Sequence, residues 1–171
     1  MLKQPVSDVD LRVETPADLA GIRAANLAAF PTDEEANLVE GLRADPAWVP
    51  DLSWVAVADG AIVGYAVLSR CYIDDCRSLA LGPVAVTPER QRQGIGQLVT
   101  WAVLDAARQR GEPSVVVLGH ADYYPRFGFT RASAHGIGVT FDVPDEALMA
   151  MSLDDRPLPS GTLRYAPPFG V

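Results

Sequence analysis

The chain has little cysteine, no long apolar run and no basic excess, and each shortage removes a class of function. Cys71 and Cys76 are the only cysteines among 171 residues. Such a pair makes no disulfide framework. With His120 and His135 as the only histidines, it makes no structural zinc site either. Two reduced cysteines on neighbouring strands, and no metal, are expected. No stretch of about 20 apolar residues occurs, so no membrane helix is expected. Met1-Leu2-Lys3-Gln4-Pro5 lacks the pattern of a secretory signal, which makes a cytoplasmic protein the expectation. The formal net charge is −8, so the basic face that neutralises phosphates in nucleic-acid binding is missing. The same acidity keeps a protein soluble, and its field can steer a cationic substrate.

What remains is ordinary globular material, 49% hydrophobic and 21% charged. A chain of this length forms one domain and buries about 70% of its unfolded surface. No internal repeat is present. The segment from about Arg156 is rich in proline and glycine and is expected to be irregular, with a strand near Leu163–Tyr165.

Strands and helices alternate. Leu11–Glu14 reads as a first strand. Thr15, Pro16 and Asp18 then start a helix, Pro16–Phe30, with Leu19, Ile22, Ala25 and Ala29 as its apolar stripe. Thr32-Asp33-Glu34-Glu35 reads as a capping box for a second helix, Asp33–Asp45, burying Leu38, Val39 and Leu42. Pro46 and Pro50 close it. Ser53–Ala58 and Ala61–Tyr72 read as a hairpin about Asp59-Gly60. Asp74-Asp75 marks another turn. Leu79–Val86 is a strand interrupted by Gly82-Pro83, where a bulge or an edge is expected. A helix follows to Arg110, with Ile95, Leu98, Val99, Ala102, Val103 and Ala106 at helical spacing and Gly111 as its stop. Val115–Leu118 is wholly apolar, like a strand covered on both faces and parallel to the one ending at Val86. Tyr123–Phe129 reads as a helical turn running into a strand. Val139–Val143 reads as a strand, and Pro144–Met151 as a short helix.

The stretch Thr87–Gly96 carries the chemistry. An apolar strand ends, a glycine-bearing loop turns, and a helix begins. A helix start offers free N–H groups and partial positive charge, so it suits an anion, most often a phosphate. A dinucleotide fingerprint needs a third glycine or alanine where Val99 stands. A nucleoside-triphosphate loop needs a lysine after Gly96, and Gln97 stands there. The pattern that fits is Q-x-x-G-x-G, filled by Gln91, Gly94 and Gly96.

The run Leu81–Gly96 with this pattern resembles the coenzyme-A motif of the GCN5-related N-acetyltransferase (GNAT) superfamily. Tyr124-Pro125-Arg126-Phe127-Gly128-Phe129 resembles the family's second signature. Together with Val117-Leu118-Gly119 and Pro144-Asp145-Glu146-Ala147, the combination looks most like the YhbS-like branch, over about Leu11–Tyr165. The resemblance implies a mixed α/β (α+β) fold: a mostly antiparallel central sheet with one parallel, splayed strand pair, flanked by helices. It implies acetyl transfer from acetyl-CoA to a primary amine, by direct attack in a ternary complex. Backbone amides of Arg92, Gln93, Gly94, Ile95 and Gly96, with the Gln91 side of the loop, would hold the pyrophosphate. Arg90 and Arg92 add charge nearby. Val84, Ala85 and Val86 would pair with pantetheine as with another strand. Tyr123 would pack against the coenzyme. Tyr124 aligns with the tyrosine that commonly protonates the leaving thiolate. A monomer or homodimer is expected.

The chemistry sets further demands. An amine of pKa about 10.4 is neutral in roughly one molecule in a few thousand at pH 7, a penalty of about 4.6 kcal/mol. A base or a desolvating pocket must offset it. The thioester oxygen needs a donor, and the N–H of Val84 or Ala85 is a candidate. Many relatives carry a glutamate on the strand that here runs Leu79–Val86; this strand has no acid. Glu34, Glu35, Asp74, Asp75, His120 and a water chain to backbone carbonyls are the alternatives. The family's usual asparagine is absent between Gly119 and Tyr124. The first two helices, with Glu34, Glu35 and Glu40, would wall a site for a cationic amine. The competing reading is a non-catalytic acetyl-CoA or CoA sensor module.

Overall fold

A computed structural model describes residues 8–171 of the chain. The segment Met1–Pro5, read above for a targeting signal, lies outside them. Five long or central strands form the sheet's spine: β1 (Asp10–Val13), β2 (Trp48–Ala58), β3 (Ala61–Ile73), β4 (Cys76–Val86) and β5 (Ser114–Leu118). Between β1 and β2 lie helices α1 (Leu19–Ala29) and α2 (Glu34–Arg43); α3 (Ile95–Gln109) joins β4 to β5. Short strands follow: β6 (Thr130–Arg131), β7 (Ile137–Gly138), β8 (Leu148–Ser152) and β9 (Gly161–Arg164). The sheet order is β1-β2-β3-β4-β5-β8-β6. Neighbours are antiparallel except β4–β5, which is parallel as a helical crossover requires, and the two-residue β7–β9 pair. No helix among the described residues is long and apolar enough to cross a membrane.

Strand periodicity sorts the core into two layers. Ala66 and Leu68 of β3, Leu79 and Leu81 of β4, and Val115 and Val117 of β5 share one cluster with Val99, Val103, Leu104 and Ala107 of α3. Tyr65 and Val67 of β3 point the other way, into a cluster with Ile22 of α1 and Val39 of α2. Val115, Val116 and Val117 are all buried, so β5 is covered on both faces as its unbroken apolar run implies.

The β2–β3 hairpin turns on Asp59 (φ 51°) and Gly60 (φ 76°), the two left-handed residues of a type I′ turn. Gly111 (φ 78°) ends α3. Asp18 accepts the backbone N–H (2.7 Å) and hydroxyl (3.0 Å) of Thr15 and a two-pronged contact from Arg12. The hydrogen bonds from Arg12 hold its carboxyl well below the usual carboxylate range. Both cysteines are free, Cys71 buried on β3 and Cys76 exposed on β4. Burial pushes the Cys71 thiol up to about 12, which leaves it unreactive.

Several sequence expectations are corrected. Leu19 is 41% exposed at the first turn of α1, and the buried side is Ile22, Ala25 and Asn26. The Thr32–Glu35 capping box does not form; Asp33 is the N-cap without a side-chain bond, and Glu34 N–H reaches Thr32 Oγ1 at 3.4 Å. Strand β2 begins at Trp48 and takes in Pro50, with an irregular register between Trp48 and Ser53 that accommodates the missing N–H. Val139–Val143 forms no strand. Pro144–Met151 is one 3-10 turn, Asp145–Ala147, followed by β8 rather than a helix. Leu148–Ala150 is captured by the open edge of β5, and that pairing outweighs a weak helical preference.

Candidate active site

The cleft begins as a miscount between two strands. β3 pairs Leu68 with Leu81 and then Ala66 with Val84. Two steps along β3 therefore answer to three along β4, which is a bulge at Gly82-Pro83. Facing inverts across it: Leu81 and Val84, an odd and an even residue, both pack on the α3 layer. The β4–β5 pairing stops at the same place, with Leu81 opposite Val117. Beyond it Val84, Ala85 and Val86 are paired on the β3 side only. The strands part, and a cavity of about 590 Å³ opens between Leu81–Val84 and the Leu118–His120 segment.

Past the cleft lies the glycine loop. Gln91 Nε2 donates to Val86 O at 3.0 Å and ties the loop to the strand end. Arg92 (φ 64°) and Gly94 (φ 89°) are both left-handed, so the loop doubles back as α3 begins at Ile95. That conformation favours glycine at Gly94. Space is tight at Gly96: a Cβ there would lie 3.2 Å from the Tyr123 hydroxyl, which would have to give way slightly. A second cavity of about 440 Å³ lies over the start of α3. It is lined by Val86, Gln91, Arg92, Gly94, Ile95, Gly96 and Tyr123, all singled out from sequence, and by Arg90. The N–H groups of the first turn of α3 and three arginines supply its positive character.

The third of those arginines, Arg126, and Gln97 were missed. Arg126 stands inside the Tyr-Pro-Arg-Phe-Gly-Phe run, but only the fold brings it to the loop. Its guanidinium lies 4.3 Å from the Tyr123 ring centre, and its Nε donates to Tyr123 O at 2.7 Å. Two predicted residues stand apart. The Gln93 side chain folds back, accepting from Arg90 Nε at 2.9 Å and donating to Glu89 O at 3.3 Å, so only its backbone is available. Ala85 is buried in the α1/α2 layer and likewise offers only backbone. Arg90 also pairs with Asp8 at 3.0 Å, which leaves Arg92 the freer charge.

The adjacent tyrosines divide the cavities between them. Their rings are perpendicular (88°) with centres 5.0 Å apart. Tyr123 lines the arginine cavity and Tyr124 lines the cleft. Burial raises both phenols, Tyr124 to about 12, with the neighbouring Tyr123 adding to the effect. Phe129 and Phe127 hold the Tyr124 ring from beneath, at 6.0 and 6.2 Å.

The acidic candidates separate as well. Asp74 is occupied at the far end of β3, accepting the Thr162 N–H at 2.8 Å. Asp75 shares that turn and lines neither cavity. Glu40 pairs with Arg23 at 3.1 Å. Glu34 lines an outer hollow over α2, which Glu35 borders as well. Glu35 and the exposed His120 line the cleft itself.

These features bear directly on the comparisons with known proteins. Residues 21–129 match the family model for the acetyltransferase (GNAT) family. The chain belongs to that family. Among GNAT relatives, the uncharacterised N-acetyltransferase YjhQ of Escherichia coli K12 is 34% identical over 161 residues, 89% of each chain. The uncharacterised N-acetyltransferase YhbS of the same strain is 32% identical over 151 residues, covering 86% of this chain and 89% of YhbS. The crystal structure of E. coli YhbS in complex with CoA matches with a TM-score of 0.91 at 29% identity, over 100% of this chain and 97% of that one. A GNAT acetyltransferase from Brucella melitensis in complex with acetyl-CoA matches at 0.79 and 30% identity, over 94% and 97%. The GNAT fold expected from sequence is the fold observed.

Proposed function

We propose that this GNAT protein transfers the acetyl group of acetyl-CoA to a primary amine by direct attack in a ternary complex. The observation that carries this reading is the pair of cavities along β4. One is cationic and rich in free N–H groups at the start of α3; the other is the strand gap that holds Tyr124. The CoA and acetyl-CoA bound to the E. coli and Brucella relatives support the choice of donor.

In this reading the pyrophosphate lies on the Arg92–Gly96 backbone, with Arg92 and Arg126 beside it. The pantetheine amides pair with the open edge of Val84–Val86. The thioester then reaches the gap beside Tyr124. The amine attacks the thioester carbon, and its C–N bond forms as the C–S bond breaks. The net reaction converts an ammonium and acetyl-CoA to the acetamide, free CoA thiol and one proton. The side chains at the gap able to take protons are Glu35 and His120.

Magnitudes define the part of Tyr124. A phenol near 12 facing a thiol near 8.5 makes complete proton transfer to the thiolate uphill by about 5 kcal/mol. Tyr124 therefore acts as a neutral O–H that hydrogen-bonds the sulfur as charge builds and keeps its own proton, while a proton released by the amine ends on the thiol.

The test is calorimetric titration with acetyl-CoA followed by thiol release against an amine panel. Binding followed by amine-dependent release supports the transferase. Tight binding with no release from any amine would instead establish the sensor reading. The Tyr124 ring at the cleft is the feature that favours catalysis over sensing.

A further inference from the structure

The donor cavity is cationic, but the cleft in front of it has the opposite character. Among the described residues no Arg or Lys side chain lines the cleft, Glu35 is its one acidic side chain, and His120 is its one imidazole. Glu35 Oε2 is buried and has no hydrogen-bond partner among the described residues. A carboxylate oxygen removed from water and left unsatisfied is costly, and an incoming cation relieves that cost.

The remaining walls are largely apolar, with aliphatic side chains and five aromatic rings, and with His120 at the gap. Phe30, Tyr124, Phe141, Tyr165 and Phe169 all line this cleft, five of the thirteen aromatic residues in the chain. Phe141, Tyr165 and Phe169 form a row, with ring centres 6.2 and 4.9 Å apart. The helix bearing Glu35 is fixed at its C-terminal end. Arg43, at the end of α2, bonds both Glu14 oxygens (3.0 and 3.1 Å) and lies 5.0 Å from the Trp48 ring centre. The turn Pro167–Phe169 packs closely on α2, where a Cβ at Gly41 would lie 3.2 Å from Pro168.

We propose that the acceptor is a monoamine carried on an aromatic or bulky apolar body, with Glu35 receiving the ammonium and the aromatic row receiving the body. The proposal rests on the acetyltransferase reading and narrows its substrate. Ring-on-ring contact and apolar burial select the body. Glu35, the acidic side chain of the cleft, selects a cationic amine and disfavours an acceptor that carries a carboxylate of its own. A polyamine would bring further charges to a cleft that offers no second acidic side chain among the described residues.

The experiment measures kcat/KM by thiol release with acetyl-CoA saturating. Acceptors are 2-phenylethylamine, n-propylamine, spermidine and L-phenylalanine. The expected result is at least a tenfold preference for 2-phenylethylamine over each of the others. Glu35→Gln should lower its kcat/KM at least tenfold, chiefly through KM, with acetyl-CoA affinity unchanged. Asp33→Asn makes the same charge change at the N-cap of α2, outside the cleft, and should alter kcat/KM less than twofold. Phe30→Leu should reduce the preference for the ring over n-propylamine. Equal or better use of spermidine or n-propylamine, or an unaffected Glu35→Gln, overturns the acceptor assignment and leaves acetyl transfer standing. Absence of release with every amine despite tight acetyl-CoA binding overturns both.

Discussion

Tyr123 and Tyr124 are chemically identical neighbours with different surroundings, and surroundings decide their parts. Tyr123 sits under the Arg126 guanidinium beside the glycine loop. Tyr124 stands in the cleft with its phenol held near 12, so it stays protonated through the whole neutral range. Tyr124→Phe keeps the ring packing on Phe127 and Phe129 and removes only the O–H. Turnover should fall at least tenfold while acetyl-CoA affinity, read by calorimetry, changes little. An unchanged turnover number would take the tyrosine out of the mechanism. A cruder change nearby tests position: a Cβ at Gly119 would overlap the Tyr124 ring, so that glycine keeps the ring's place open.

At the scale of elements, the β4–loop–α3 unit carries donor recognition. Its geometry depends on the left-handed backbone at Gly94. Gly94→Ala should destabilise the protein by about 1 kcal/mol in urea titration, because Ala tolerates that φ poorly. It should also weaken acetyl-CoA binding at least threefold, and tighter binding would contradict this use of the loop. This unit was legible in sequence because its signals are local: the Gln91, Gly94 and Gly96 spacing, the α3 stripe and the Gly111 stop all act within one or two turns. The type I′ turn at Asp59-Gly60 was legible for the same reason. The C-terminal third was not. Leu148–Ser152 becomes a strand only because β5 offers it an edge, a contact some 30 positions away that no local pattern encodes. Arg126 and Glu35 show the same limit at the site. Their types suit the chemistry, but convergence on the two cavities is a property of the fold. The sequence also offered four acids on equal terms, and only burial and partners separate Glu35 from Asp74.

Across the whole molecule, a buried ion pair couples the end of α3 to the middle of β3. Arg70 holds Glu112 through two bonds of 2.7 and 2.8 Å, and Glu112 is almost fully buried. The hydrogen bonds from Arg70 lower the Glu112 carboxyl, as those from Arg12 lower Asp18. A carboxylate lowered by folding adds stability that is fully present above its unfolded value, near 4, and is lost as pH falls through its folded value. Unfolding free energy should therefore hold level near neutrality and drop below about pH 4. Glu112→Gln should cost on the order of 3 kcal/mol at pH 7 and flatten the acid limb. Urea midpoints of both proteins from pH 7 to pH 3 check this, and parallel curves would refute it.

The extra residue at Gly82-Pro83 has an arithmetic consequence. Because the bulge already inverts odd and even on β4, deleting one residue there would leave Leu81 and Val84 facing α3 and Ala85 facing α1 and α2. Every core side chain would keep its layer, while the strand would be free to run on beside β5. Core and cleft are thus written in the same eleven-residue strand but are separable by one residue. The chain holds open the place where its chemistry happens with a single unit of surplus length.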